Sequence, residues 1–532
     1  MVAPTDAFTF EGVSQRLAIG VALVVCFAGC GSPANGAPGA GAEAGADVRV
    51  EAGTTESGVD AGPSDSGQPP DALATGTRIV SREATFEGLT SDGYVIFSEP
   101  IADGGRVAEV VALDGGDQAT IATGTSTDKT LRIVTSGKVA FVWTDRGNRI
   151  AMLTVWSKAT GAVPIGMGIR PGRAAASADG TSIAYMSDVT TTTANVVVGP
   201  ISASGATVVG VANASDPNCW RDVDMAFVGT ATQRFLSFYC PQNTTSFAVQ
   251  STVADGSGSA MLSTSAVAET FGSDIVVVLD GSGALSTSAA DGTSVVAIAS
   301  NAASAQLSRD QNALYFQTTD GGIGSSPVGA SVPTQVVPAG EAVQLGFVSA
   351  NDQLVMFAGA ASMPDGGSAP PSTDVRVASS APEAGAPSVL IASTTSCVNC
   401  LTDPFSPDST QALAIDPVDT TTALAGSGPL RSFSLTDGTA GVTFGTNVWD
   451  AIALSGGSGA GSRFLIVEIG SAPQLETGFS YDLYERTLDV NAVPTYVARA
   501  AENAGIDSAR SFLVYSIPGS GNLAGVWVAP LQ

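Results

Sequence analysis

The chain of 532 residues contains no histidine. That removes imidazole general bases, His-dependent nucleophilic triads and imidazole metal ligands together. Lysine is nearly missing too: only Lys129, Lys138 and Lys158 occur, and 49 acids against 22 bases leave a net charge of −27. A surface of that sign excludes nucleic acid, or anionic headgroups, held through a basic face. Charged residues are 13% and aromatics 6%, against 44% hydrophobic. The chain therefore builds apolar cores beneath a neutral surface rich in Ser and Thr. No stretch sustains a capped 3.6-residue apolar period, so helix content should be low. There is no Gly-rich phosphate loop between a strand and a helix, and no Gly-x-Ser-x-Gly elbow.

What is present is one short unit, used repeatedly. Its clearest copy is Ser177-Ala178-Asp179-Gly180-Thr181-Ser182-Ile183-Ala184-Tyr185-Met186-Ser187. Asp bonds its own backbone and Gly takes positive φ without steric cost, so the first half reads as a turn. Ile and Tyr suit a pleated, buried surface, so the second half reads as a strand. Equivalent apolar runs begin at Tyr94, Val139, Ile183, Phe235, Ile275, Ala313, Leu354, Ala412, Phe464 and Phe512, at spacings of 38 to 58 residues. Those spacings centre near the repeat length of propeller blades. The runs are apolar at consecutive positions, as expected of strands packed on both faces. Around the first of them, Val107–Gly116 and Ala119–Ala122 supply further strands, giving four per unit.

The expected fold is all-β: a β-propeller of four-stranded blades over residues 77–532, with about 7–10 units in one ring or two. If there are two, the Pro/Gly/Ser insertion at Met363–Pro371 is a possible seam. The chain ends without a final strand, and Thr77–Arg82 is a spare one. Pairing them closes the ring and removes an open edge. The turn motif at Ser177–Gly180, Ser308-Arg309-Asp310 and Ser406-Pro407-Asp408-Ser409 resembles the Ser-Pro-Asp-Gly repeat of the WD-repeat-like propellers of bacterial envelopes, the Tol-Pal type. The resemblance implies a fold and not an activity.

The N-terminus reads as an address. Leu17–Ala28 is an apolar run of 12, long enough for a signal-peptide core and too short to span a bilayer. Phe27-Ala28-Gly29-Cys30 follows and resembles the lipobox of bacterial lipoproteins, with Phe27 in place of the usual Leu. The resemblance implies a signal at 1–29, cleavage before Cys30, and acylation of Cys30. A plain secretory signal or a buried helix is the alternative. Gly31 stands where enteric bacteria use Asp for inner-membrane retention, so an outer-membrane or surface location is expected. Residues 1–15 carry Asp6 and Glu11 and no base, unlike a basic leader, so translation is expected to begin at Val13. From Cys30 to about residue 76 the chain is Gly, Ala, Pro, Ser and acids, a composition expected to form a disordered tether.

Of six cysteines, Cys26 leaves with the signal and Cys30 carries lipid. Cys219 and Cys240 flank an expected hairpin turn near 229–233 and are disulfide candidates in an oxidising compartment. Cys397-Val398-Asn399-Cys400 is a lone C-x-x-C. A redox motif needs a helix start, and zinc needs four ligands. A structural loop disulfide between Cys397 and Cys400 is the favoured reading. Acidic turns such as Asp114–Asp117, Asp255–Gly258 and Asp320–Gly322 lack calcium-loop spacing and read as plain turns. No catalytic, cofactor-binding or metal residue is singled out, and no cofactor is implied. The expected function is a non-catalytic lipoprotein, anchored to the membrane by lipid, whose propeller binds or scaffolds an envelope protein, peptide or polysaccharide. A glycan-active propeller enzyme with paired carboxylates, or a purely structural surface protein, are the alternatives.

Overall fold

The computed structural model describes residues 8–9 and 73–531, apart from 103, 125–129, 146–150, 170–173, 217–218, 220–223, 230–233, 273, 360–373, 381–387, 393–400, 417–426, 455–457, 471–479 and 520–521. Cys30, the tether, the 363–371 insertion and the Cys397/Cys400 pair lie wholly or almost wholly outside the described residues. Among the described residues the ordered structure is antiparallel β, with one 3-10 turn at Gly459–Gly461.

Nine of the ten apolar runs named above form the second strand of their blade; the run at Ala412 opens the sheet of blade 8, preceded only by a single bridge from Phe405. Blade 1 spans 85–123, blade 2 130–169 and blade 3 174–213; blades 6 and 7 span 302–337 and 342–392. Each of these five is a separate four-stranded sheet with its strands in sequence order. Blades 4 and 5 are fused, as are blades 8 and 9, each pair forming one seven-stranded sheet. The fusion departs from the expected four separate strands per unit. One long strand serves both partners: Ala260–Phe271 is the fourth strand of blade 4 and the first of blade 5, and Ala440–Ala453 is the third strand of blade 8, after Gln411–Ile415 and Gly428–Ser434, and the first of blade 9. Bulges near Ala266–Ala268 and Val448–Asp450 turn these strands from one blade to the next. At the second crossing Gly445 is obligatory, because a Cβ there would lie 2.6 Å from Tyr484 Oη.

Blade 10 closes the ring. Its strands are Ala504–Ile506, Phe512–Ile517, Gly525–Pro530 and, from the other end of the sequence, Thr77–Val80. Thr77 pairs with Val528 and Arg78 with Trp527. Just upstream, Leu73–Ala74 adds to the outer strand of blade 9. Between the two, the buried Tyr515 hydroxyl donates to Thr75 O (2.6 Å) and accepts from Thr75 N (2.8 Å). Gly76 makes the step at φ +94°, where a Cβ would sit 2.2 Å from Val528 O. Residues Phe8–Thr9 pair with the inner strand of blade 10.

Ten apolar clusters fill the spaces between sheets, and each joins consecutive blades. Val514, Val526 and Val528 of blade 10 pack with Phe86, Val95 and Phe97 of blade 1. The series runs 1–2, 2–3, 3–4, 4–5 and 5–6. It continues 6–7, 7–8, 8–9 and 9–10. Among the described residues these ten clusters form one closed cycle, a ring of ten blades, above the usual 4–8. The second strands are buried on both sides because each face meets a neighbouring blade: Val139–Trp143 and Val95–Phe97 are fully inaccessible. Strands on either side of the 363–371 insertion pair directly within blade 7.

Candidate functional site on the turn face

In a four-stranded antiparallel blade, the turn after the first strand and the turn after the third lie at the same end. One end of the ring therefore gathers both sets; Asp114–Asp117 and Asp255–Gly258, each after a third strand, fall there, whereas Asp320–Gly322 follows the second strand of blade 6 and lies at the other end. Five blades use the same six-residue turn after the first strand. It runs from Ser177 in blade 3, Ser308 in blade 6, Ser349 in blade 7, Ser406 in blade 8 and Asp507 in blade 10. In all five the first residue's N–H donates to the sixth residue's carbonyl, and the fourth residue's N–H donates to the first residue's carbonyl.

Side chains complete the loop. Ser177 Oγ donates to Asp179 Oδ1 (2.6 Å) and accepts from Thr181 N and Ser182 N (3.2 and 2.9 Å). Ser308–Asp310, Ser349–Asn351 and Ser406–Asp408 repeat the contact at 2.7 Å. In blade 10 the Asp507 carboxylate takes the hydroxyl's place, accepting from Ser511 N and Phe512 N at 2.6 Å. Three of these turns were legible from Ser-x-Asp. The turn at 349 escaped notice because Asn351 replaces Asp, and the turn at 507 because Asp replaces Ser.

The fourth position always has positive φ: Gly180 +73°, Gln311 +61°, Asp352 +57°, Ser409 +55° and Arg510 +57°. Only blade 3 places Gly there, so four blades hold a side chain in a backbone region that favours glycine. Gln311 lies against Gly272 of blade 5, and two of the others bind polar groups of a neighbouring blade.

Arg510 is one. Its Nη1 donates to Asp403 Oδ2 at 2.6 Å and also to the Ala453 carbonyl. Asp403 Oδ2 in turn accepts from Ala453 N at 3.0 Å. Asp403 precedes the turn of blade 8, Ala453 ends the first strand of blade 9, and Arg510 belongs to blade 10. One guanidinium thus ties three neighbouring blades, and its side chain is 16% exposed.

Asp352 is the other. Its carbonyl accepts from Tyr315 Oη of blade 6 at 3.0 Å and from Ser380 Oγ. Its carboxyl faces Asp310 of the blade 6 turn. Burial, a hydrogen bond to Asp310 and the Asp310 charge push Asp352 up to about 7. Asp310 is held down at about 2 by hydrogen bonds from Asn312 N–H and Ser308. Asp352 Oδ1 is buried and meets no ordinary donor; a proton on Asp352 directed at Asp310 satisfies the pair. Sequence pattern held no signal for this pair, since it depends on which blades are neighbours.

The other carboxylates are occupied by their own turns. Gly116 N binds Asp114, Ser257 N binds Asp255, and Thr318 Oγ1 binds Asp320. Asp408 is partly buried, which would raise it, yet hydrogen bonds from Gly459 N–H, Ser406 and Thr410 bring it to about 2. Among the described residues no group of three or more His, Cys, Asp or Glu gathers to hold a metal. Cys219 and Cys240 are joined in a disulfide with Cα atoms 5.4 Å apart. It lies just beyond the hairpin ladder, where Asp224 pairs with Phe238.

No protein-family description and no curated protein matches the chain. Among solved structures it is similar to a eukaryotic initiation factor (12% identity, 71% of this chain, 91% of that one, TM-score 0.41). It is similar also to an oligogalacturonate lyase from Vibrio parahaemolyticus (11%, 59% and 96%, TM-score 0.28). A third is TolB from Acinetobacter baumannii (13%, 55% and 62%, TM-score 0.22). At these scores the likeness carries no argument about activity, and the propeller assignment rests on the chain's own sheets.

Proposed function

We propose that this chain is an exported, lipid-anchored propeller that serves as a binding or scaffold module for an envelope protein, peptide or polysaccharide. The observation that carries the reading is the repeated turn. Five blades present one rigid turn design on a single face of the ring, and most of its carboxylates are closed onto their own backbone. Such a face offers a fixed acidic relief to a cationic or hydroxyl-rich partner. Cys30 supplies the anchor and residues 31–72 the tether; the expected boundary at 76 moves back because Leu73–Ala74 pairs with blade 9 and Thr75 bonds Tyr515. A start at Val13, or cleavage before Cys30, leaves Phe8–Thr9 out of the mature chain and off the inner edge of blade 10.

A glycan-active enzyme is the second reading, and the Asp310–Asp352 pair is what favours it, since one carboxyl stays protonated near neutrality beside an ionised partner. The pair is in direct hydrogen-bond contact. Paired glycosidase carboxyls stand about 5 Å or more apart to admit the substrate, which favours binding over turnover.

The test is fractionation of full-length protein and its Cys30→Ser variant in a Gram-negative host, with a glycan panel assayed on the purified wild type. The proposal expects wild type in membranes, the variant released, and no turnover. Unchanged membrane association of the variant contradicts the anchor. Turnover of a glycan, lost in Asp352→Asn, replaces the binding reading with the enzymatic one.

A further inference from the structure

We propose that Asp310 and Asp352 form a proton-dependent latch between the turns of blades 6 and 7, closed while the two carboxyls share a proton and open when both are charged. The geometry places the two groups at one joint. Asp310 occupies the third position of the blade 6 turn and is fixed by Ser308 Oγ (2.7 Å), Asn312 N (2.9 Å) and Asn312 Nδ2 (2.6 Å). Asp352 occupies the fourth, left-handed position of the blade 7 turn and is held from blade 6 by Tyr315 Oη. The Asp310 carboxylate cannot swing away without undoing its own turn, and Asp352 Oδ1 is buried beside it with no donor of its own.

The titratable groups facing Asp352 are Asp310 and Tyr315, both from blade 6; Ser380, from blade 7, is neutral. Among the described residues no cation pairs with either carboxylate. The negative charge that appears when Asp352 ionises therefore has nothing to offset it but water. Its proton passes to bulk solvent, the two carboxylates repel, and the Tyr315 Oη–Asp352 O bond alone is left to hold the turns together. The sign follows from linkage. A carboxyl raised from 3.8 to about 7 in the folded protein stabilises fully below its unfolded value and loses that contribution as pH rises through about 7. Asp310 acts at the other end: held at about 2, its contribution is present above 3.8 and lost as pH falls through about 2.

Hydrogen exchange, corrected for intrinsic rates, tests the latch at pH 5 and pH 8 on the folded full chain. In wild type, peptides covering 308–315 and 349–354 should exchange several-fold faster at pH 8. The blade 3 turn at 177–182, which has Gly180 at the fourth position in place of a carboxyl, should not change. Asp352→Asn keeps a donor for Asp310, suits the left-handed position and does not titrate. It should stay protected at both pH values and lose the pH step in thermal stability between 5 and 8. If Asp352→Asn fails to fold, Asp310→Asn serves instead, since its amide donates to Asp352 and moves the step to lower pH. A step of wild-type size in the folded variant overturns the proposal, as does equal protection of both wild-type turns at the two pH values.

Discussion

The turns of blades 7 and 10 share a backbone and differ in one side chain that decides how neighbouring blades are held. Both put a non-glycine residue at the fourth position with φ +57°. In blade 10 that residue is Arg510, and it meets the carboxylate of Asp403. In blade 7 it is Asp352, and it meets the carboxylate of Asp310. The first joint carries opposite charges and needs no shared proton. The second carries like charges and holds only with a proton between them. The same turn thus yields an ion-pair clasp in one place and a proton-dependent one in another.

The largest effect should come from breaking the clasp. Arg510→Met leaves Asp403 partly buried without its cation, and we expect a loss of about 2–4 kcal/mol in urea unfolding. A double-mutant cycle with Asp403→Asn should return a coupling energy above about 1 kcal/mol; additivity of the two changes means the clasp contributes nothing. The turn itself comes next. Ser349→Ala removes the hydroxyl that accepts from Leu354 N and donates to Asn351, and should cost about 1–2 kcal/mol by the same measurement. Ser177→Ala should cost as much in blade 3, where no clasp is present; a cost confined to blade 7 means the turns are not equivalent. The smallest effect has the opposite sign. Ser409 sits at φ +55° with its hydroxyl buried and unpartnered. Ser409→Gly should raise stability by about 0.5–1 kcal/mol, because glycine takes this conformation freely. A loss instead means Ser409 takes part in a contact between blades.

This contrast explains what the sequence made legible. The ten apolar strands stand out because burial on both faces imposes unbroken apolar runs such as Val139–Trp143. The closure was legible because Thr77–Val80 is a strand without a partner at one end and the last blade lacks one at the other. Turns announce themselves where Ser and Asp both keep their usual places. The order of interfaces around the ring left no local trace, so one ring of ten and two smaller rings read alike. The fused sheets were hidden for a related reason: Ala260–Phe271 and Ala440–Ala453 are each as long as two strands, but only their bulges show that they serve two blades. Asp352 and Arg510 look like unremarkable surface residues until the neighbouring blade is in place. Their roles arise from adjacency between units 40 or more residues apart.

The central claim is a single ring of ten blades closed by pairing Thr77–Val80 with Gly525–Pro530. An experimental structure of the folded region, by crystallography or by cryo-electron microscopy of a rigidly bound complex, tests it most directly. The account predicts ten sheets around one axis, with the N-terminal strand completing the last of them. Two separate rings, or a ring closed without Thr77–Val80, would contradict it.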